Sequence, residues 1–417
     1  MKERASLLND EFTFRQTIAS FPRPVIALLF FTLLTRVSYF MAWPFLSIIL
    51  TRTWHLTPVM IGSVMSGSAV VAAALGIYGG SLSDRWGRKQ ILALGCLLAI
   101  VGYAAIGLAN SVWIFALGLL LTGISFSWTD ATSRALMSDL LIDARRRELA
   151  LQIRYFVVNI AAVSGPLIGI FFGLNSQKMT FLLTALSYVP FLWFALWRYP
   201  GAKTASNQVA ERSTHPGFGQ ISHIILRDKI YLLALICSIV CYLIYAQIES
   251  VVPQYLLMLD STKAVSLVTV ILVTNALSVL AAQLYLVPLL AGIAPGQRII
   301  IGALIFAVSQ LLFWVNVTTS VYWWGLVAVV FSIAEAILLP NMSILLDRLA
   351  PERYRGAYLG ASSLVVLGLS LGPFVGGTLL EWSGRGVFIA MALFSLSIVF
   401  MMLVTKKAIN ERLGENG

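Results

Sequence analysis

Five ionisable side chains lie within long apolar stretches of this chain: Arg36, Asp130, Arg134, Glu249 and Glu335. An ionisable group at the centre of a bilayer costs at least about 2.5–3.5 kcal/mol, so each such group is a candidate for a functional role. A carboxyl group in a low-dielectric cavity can take up and release protons near neutral pH. We therefore predict that an acid carries protons, with Glu335 as the first candidate, followed by Glu249 and Asp130.

Each of these residues also has a purely structural interpretation. Glu335 could form a permanent ion pair, for example with Arg36, and Glu249 could be a hydrated acid at the mouth of a cavity. Asp130 and Arg134 are four positions apart, so a salt bridge along one helix face is the favoured interpretation for that pair.

Aromatic and amide side chains accompany the charged ones and complete the candidate substrate cavity. A lining with few fixed hydrogen-bond donors suits amphipathic or cationic molecules of varied shape. Any one of these side chains more often packs in a core or faces lipid. The cavity candidates are Arg36, Tyr39, Trp43, Trp128, Arg134, Tyr242, Tyr245, Gln247 and Asn341.

The composition defines the kind of protein that must hold these groups. Of the 417 residues, 59% are hydrophobic and 11% are charged, with a mean hydropathy of +0.87. Soluble domains carry about 25% charged residues. The chain therefore has too little polar surface for a soluble enzyme, a disordered scaffold or a nucleic-acid-binding protein.

Twelve continuous apolar runs are long enough to cross a bilayer as helices, which takes about 20 residues each. Continuous rather than alternating apolar residues favour helices over a β-barrel. The sequence therefore predicts an all-α membrane protein with spans at Val25–Leu50, Val59–Leu82, Ile91–Leu108, Val112–Met137, Tyr155–Leu174, Met179–Trp197, Ile230–Met258, Ala264–Leu290, Ile299–Val315, Val321–Leu346, Ala357–Leu380 and Val387–Thr405.

The basic residues predict the orientation of these spans. With both termini in the cytoplasm, 22 of the 29 lysines and arginines fall in inner segments and 4 in outer loops, as the positive-inside rule requires. The net charge of +11 therefore reflects topology and an anionic inner leaflet rather than a nucleic-acid partner.

A polar stretch rich in Gly, Ser, Thr and Pro divides the spans into six and six. Residues after the fourth and tenth spans also match, because Asp139 and Asp347, like Arg145 and Arg353, are 208 positions apart. Parallel repeats of six helices are typical of transporters whose halves rock around a central site. The predicted division is an N-terminal cytoplasmic segment (1–24), a first six-helix bundle (25–197), a cytoplasmic linker (198–229), a second six-helix bundle (230–405) and a cytoplasmic tail (406–417).

The short loop between the second and third spans reads Gly80-Ser81-Leu82-Ser83-Asp84-Arg85-Trp86-Gly87-Arg88-Lys89. Gly87 permits a sharp turn, and Asp84 and Arg88 can pair at the membrane edge. This loop resembles the signature cytoplasmic loop of the major facilitator superfamily. The resemblance implies that helices one, four, seven and ten line a central cavity, and that the loop latches one transport state through a fourth-helix acid and the eleventh helix. The latch candidates are Gly80, Asp84, Arg85, Gly87, Arg88 and Asp139.

Two Gly-Pro motifs, Gly165-Pro166 in the fifth span and Gly372-Pro373 in the eleventh, are further gating candidates. Small residues four positions apart allow close helix contact, and proline bends a helix. The fifth-span motif resembles the antiporter motif of drug:proton exporters, although plain helix packing also explains it. Arg154, at the start of the fifth span, could take part in an inner gate or extend toward the aqueous edge.

The resemblance implies a proton-coupled secondary transporter that exports small amphipathic molecules, of the multidrug or dipeptide type, by alternating access. Two alternatives stay open: proton-coupled uptake of a sugar or peptide, and a membrane-embedded lipid-modifying enzyme. We expect no catalytic activity, metal or cofactor. The expected partners are a small-molecule substrate, protons and the lipid bilayer, without nucleic acid, for a monomer in the bacterial inner membrane with both termini in the cytoplasm.

Overall fold

The computed structural model describes residues 21–141, 143–173, 177–198, 224–290, 292–351 and 355–413. Within these ranges the chain is helical and contains no strand, which confirms the all-α class. By length and composition, twelve of the described helices could each cross a membrane.

The N-terminal half contains α1 (Arg23–Trp54), α2 (Pro58–Trp86), α3 (Arg88–Gly107), α4 (Val112–Leu140), α5 (Ala144–Gly173) and α6 (Gln177–Trp193). The C-terminal half contains α7 (Lys229–Leu259), α8 (Ala264–Leu286), α9 (Pro295–Val315) and α10 (Val321–Leu349). It ends with α11, which consists of Arg355–Ser362 and Val366–Ser383 joined by a 3-10 turn, and α12 (Gly386–Leu413). We call the end of the bundle where α1 begins and α12 ends the terminal end, and the other the opposite end.

Several helices extend beyond the apolar runs that predicted them. The fifth helix begins at Ala144, eleven positions before the predicted span, and α12 continues through most of the predicted tail. A helix satisfies its backbone hydrogen bonds internally, so it can continue past the apolar run into a polar segment. The predicted N-terminal segment up to residue 20 and linker residues 199–223 lie outside the described ranges.

Two of the helices that line the middle of the bundle are interrupted, α1 and α7. In α1, Pro44 lies in a 3-10 turn, Trp43–Phe45. In α7, the helix breaks at Ala246, and Pro253 follows in the second part, Gln247–Leu259. Because Pro44 has no backbone N–H to donate, α1 loses a hydrogen bond and bends at this turn.

Glycines bring α5 onto α1 and α11 onto α7 within each half. A Cβ atom on Gly169 of α5 would lie 2.5 Å from the Met41 carbonyl oxygen of α1. A Cβ atom on Gly368 of α11 would lie 3.0 Å from the Leu243 nitrogen of α7. The same helix pair therefore packs closely in both halves, as a six-helix repeat requires, and the helix-packing interpretation of the Gly-Pro segments fits these contacts.

The two halves meet closely at the opposite end, through α2 and α11. A Cβ atom on Gly62 of α2 would lie 2.9 Å from the Phe374 Cα atom of α11. The Phe374 N–H donates to Ser66 Oγ at 2.9 Å, and the Val59 N–H donates to Glu381 Oε2 at 2.9 Å. Backbone therefore contacts backbone between the halves at this end.

Candidate transport cavity

A cavity of about 150 Å³ lies between the halves. The N-terminal half lines it from α1 and α5, with Phe40, Pro44, Val158, Asn159, Ala162 and Pro166. The C-terminal half lines it from α7, α8 and α10, with Tyr245, Glu249, Leu272, Asn275, Ala276, Val279 and Glu335. The expectation from the family resemblance was helices one, four, seven and ten. Helices α5 and α8 take the place of α4 in this lining because their small and branched residues pack across the interface.

Glu335 is held in the cavity wall by a neighbouring amide. Asn275 of α8 donates its amide hydrogens to Glu335 Oε2 at 2.7 Å and to Ser332 Oγ at 3.0 Å. The alternative ion pair between Glu335 and Arg36 is not formed, because Arg36 contacts Asp130 instead. Asn275 was not predicted from the sequence, although it is one of only two amide side chains, with Gln283, in the apolar run of α8.

Glu249 lies in the first turn after the break in α7 and also lines the cavity. The side chain of Trp43 lies beside it across the interface between the halves. Trp43 in turn stacks on Tyr39, with ring centroids 5.1 Å apart. The proline turn in α1 thus brings an indole from one half to a carboxyl group of the other.

Asp130 belongs to a different cluster, inside the N-terminal half. Its Oδ1 accepts hydrogen bonds from Arg36 of α1 and Arg154 of α5, and its Oδ2 contacts Arg134 at 3.0 Å. The predicted pair with Arg134 is therefore present, but it is one of three. The guanidinium of Arg36 also lies 3.9 Å from the centre of the Phe126 ring.

The remaining aromatic and amide candidates divide between the cavity and helix packing. Tyr245 lines the cavity. Trp128 donates to the Leu75 carbonyl of α2 at 3.2 Å. Gln247 is buried against α11, where it donates to Gly372 O at 3.1 Å, and Asn341 is buried and donates to Ile337 O of its own helix at 2.6 Å. Tyr242 packs edge to face against Tyr245, with centroids 6.5 Å apart.

The signature loop contacts the fourth helix as the family resemblance implied. Arg88 donates its Nε–H to the Asp139 carboxylate. Gly87 has φ of +97°, a conformation that favours glycine, at the turn between α2 and α3. The predicted roles of Gly80, Asp84 and Arg85 fall on positions whose side chains lie outside the part of the chain that the structure describes.

No group of three or more His, Cys, Asp or Glu side chains in the described ranges is arranged to hold a metal ion. The described residues instead form a small cavity, lined mostly by apolar residues and by two acids, between two six-helix bundles of similar internal packing. That is the architecture of secondary active transporters, in which the two halves move around a central site. The sequence agrees, since it matches the Major Facilitator Superfamily over residues 28–366. The chain belongs to that superfamily.

Three bacterial relatives have sequences of similar length. The MFS-type transporter YqjV of Bacillus subtilis is 28% identical over 377 residues, covering 88% of this chain and 89% of the relative. A Na(+), Li(+), K(+)/H(+) antiporter of Planococcus maritimus is 27% identical, with coverage of 88% and 92%. The multidrug resistance protein MdtH of Klebsiella pneumoniae is 25% identical, with coverage of 85% and 86%.

A solved structure has the same fold. The nucleoside transporter NupG superimposes with a TM-score of 0.76 at 16% identity and covers 93% of this chain and 100% of its own. Membership of this superfamily makes the chain a multi-pass membrane transporter of small molecules.

Proposed function

We propose that this protein exports small amphipathic molecules in exchange for protons. The observation that carries the proposal is that Glu249 and Glu335 line one cavity between the halves. Protonation of a carboxyl group in such a cavity removes a charge that would otherwise attract a cationic substrate. A proton and a cationic substrate therefore compete for the same groups, which is the requirement for exchange.

The exchange cycle follows from the two ends of the bundle. We place the terminal end in the cytoplasm, because the basic residues concentrate there. In the observed arrangement the opposite end is closed by α2 and α11, so the acids would release protons to the cytoplasm and take up substrate from it. Rocking of the halves would then open the opposite end, where protons from outside displace the substrate.

Two relatives support the finer parts of the proposal. One is described as a multidrug resistance protein and another as a cation/H(+) antiporter. Aromatic side chains beside the acids, Phe40 and Tyr245, suit flat or amphipathic molecules. We further propose that the protein acts as a monomer in the bacterial inner membrane with both termini in the cytoplasm.

Flux measurements in proteoliposomes test the proposal. Purified full-length protein is reconstituted with a fluorescent lipophilic cation, and pH gradients of both signs are imposed. Exchange predicts that the cation moves against the direction of proton flow, and that Glu335→Gln abolishes this response. Glu411→Gln is the control variant. Glu411 is exposed and, among the contacts described, pairs only with Lys407 of its own helix. Movement of substrate together with protons would support uptake instead, and the absence of any pH-driven movement would refute proton coupling.

A further inference from the structure

Three arginines surround a single carboxylate inside the N-terminal half. Arg36, Arg134 and Arg154, from three different helices, all contact Asp130. The cluster therefore carries two more positive charges than negative ones within membrane-spanning helices. Such an excess is expensive in a low-dielectric region unless water or an anion compensates it.

The cluster keeps hydrogen-bond donors that Asp130 does not use. Both carboxylate oxygens are already engaged, Oδ1 by two arginines and Oδ2 by the third. Arg154 is only 9% exposed, and its Nε–H has no hydrogen-bond acceptor. Arg134 presents the opposite case, since 55% of its side chain is exposed. A buried donor without an acceptor, beside an accessible guanidinium, is an arrangement suited to an added anionic group.

The cluster lies directly beside the cavity. Arg36 precedes the cavity-lining Phe40 by four positions on α1, and Arg154 precedes Val158 by four positions on α5. Four residues of helix correspond to about 6 Å along the axis. The charged groups that the C-terminal half contributes to the cavity lining are acids, Glu249 and Glu335. The two halves thus bring opposite charges to neighbouring parts of one site.

We propose that this site takes dipolar amphipathic substrates, whose anionic group binds the Arg36–Arg134–Arg154 cluster while their cationic group faces Glu249 and Glu335. The proposal rests on the transport function proposed above and specifies its substrate class. Asp130 holds the arginines in place while no substrate is bound. A substrate carboxylate then accepts from the Arg134 guanidinium, whose planar pair of donors matches the two carboxylate oxygens, and from the Nε–H of Arg154.

Equilibrium binding without any gradient tests the substrate class. The full-length protein in lipid nanodiscs is titrated with several aromatic amino-acid scaffolds, each in three forms: the zwitterion, the carboxamide that keeps only the amine, and the N-acetyl acid that keeps only the carboxylate. For at least one scaffold, we expect the zwitterion to bind about tenfold or more tightly than both other forms, as loss of a charge-assisted hydrogen bond implies. If no scaffold shows this preference in the unmodified protein, the proposal is wrong.

Variants then test the arginine cluster. Arg134 is the most exposed arginine of the cluster. Arg134→Gln should reduce the advantage of the zwitterion over the carboxamide about tenfold and leave the affinity for the carboxamide unchanged. Arg146→Gln is a matched control, since Arg146 is 48% exposed and also pairs with an aspartate on its own helix end, Asp143. An equal effect of both variants, or unchanged zwitterion preference in Arg134→Gln, would assign the cluster a structural role only.

This experiment is independent of proton coupling. If Glu335→Gln leaves the pH-driven flux intact while the zwitterion preference depends on Arg134, the proposed coupling fails and the substrate class stands. Should Arg134→Gln elute as aggregated protein, Arg134→Lys keeps the charge but removes the planar pair of donors, and the same loss of preference is expected.

Discussion

Substitution of Gly62 by alanine should open the interface between the halves at the opposite end. The added Cβ would lie 2.9 Å from the Phe374 Cα atom and closer still to the Pro373 carbonyl oxygen. Real Cβ atoms do not approach backbone atoms this closely, and backbone cannot turn aside as a flexible side chain can. The two helices must therefore separate, which strains the arrangement in which this end is closed.

The size of the effect follows from overpacking. Forcing one extra methyl group into a packed interface costs about 1–3 kcal/mol. Because the arrangement that is open at this end lacks the contact, the whole penalty falls on the closed one. The ratio of the two populations should therefore shift about fivefold to 150-fold toward the open arrangement.

Gly67→Ala is the matched control on the same helix, since a Cβ there meets nothing within 4 Å. Asn110 and Ser320 are exposed at the opposite end, one on each half. The distance between spin labels at these two positions, measured by pulsed electron paramagnetic resonance, reports how far the halves separate there. We expect a longer-distance population in Gly62→Ala and an unchanged distribution in Gly67→Ala. Identical distributions in the two variants would refute the assignment of this contact as the closure.

Two further predictions concern contacts outside the cavity. Glu381→Gln weakens the acceptor for the Val59 N–H, so the same labels should show a smaller shift in the same direction. Asp228 pairs with Arg412 through two hydrogen bonds of 2.8 Å and accepts from Tyr358 at 2.9 Å. Burial pushes the pKa of Asp228 upward, but these hydrogen bonds, with that from the Tyr231 N–H, outweigh burial and lower it. Asp228→Asn should therefore reduce the free energy of unfolding by about 1.5–3 kcal/mol at pH 7. Thermal unfolding should show that the difference from the unmodified protein shrinks as the pH falls below about 4, because the unfolded carboxyl group becomes protonated there.

The sequence was sufficient for the fold class, and it narrowed the cavity acids to three candidates, of which Asp130 lies in the arginine cluster instead. Continuous apolar runs determine which segments become membrane-spanning helices, and the cost of intramembrane charge makes Glu249 and Glu335 conspicuous. The superfamily followed from a loop motif whose Arg88 contacts Asp139 in the structure.

The identity of the remaining lining residues could not be predicted in the same way. An apolar run does not fix the rotation of a helix about its axis, so Gln247 and Asn341 were candidates although both are buried in helix packing. Asn275 reaches Glu335 from 60 positions away, and Arg36 reaches Asp130 from 94 positions away. Such pairs depend on how the helices pack, which one sequence does not determine.

Proton release on substrate binding measures directly whether Glu335 exchanges a proton for substrate, as we propose. A dipolar or cationic substrate is added to the purified protein in weakly buffered solution near pH 7, and a pH indicator records the protons released. We expect the unmodified protein and Glu411→Gln to release protons, and Glu335→Gln to release none. Undiminished release from Glu335→Gln would show that another group exchanges the proton.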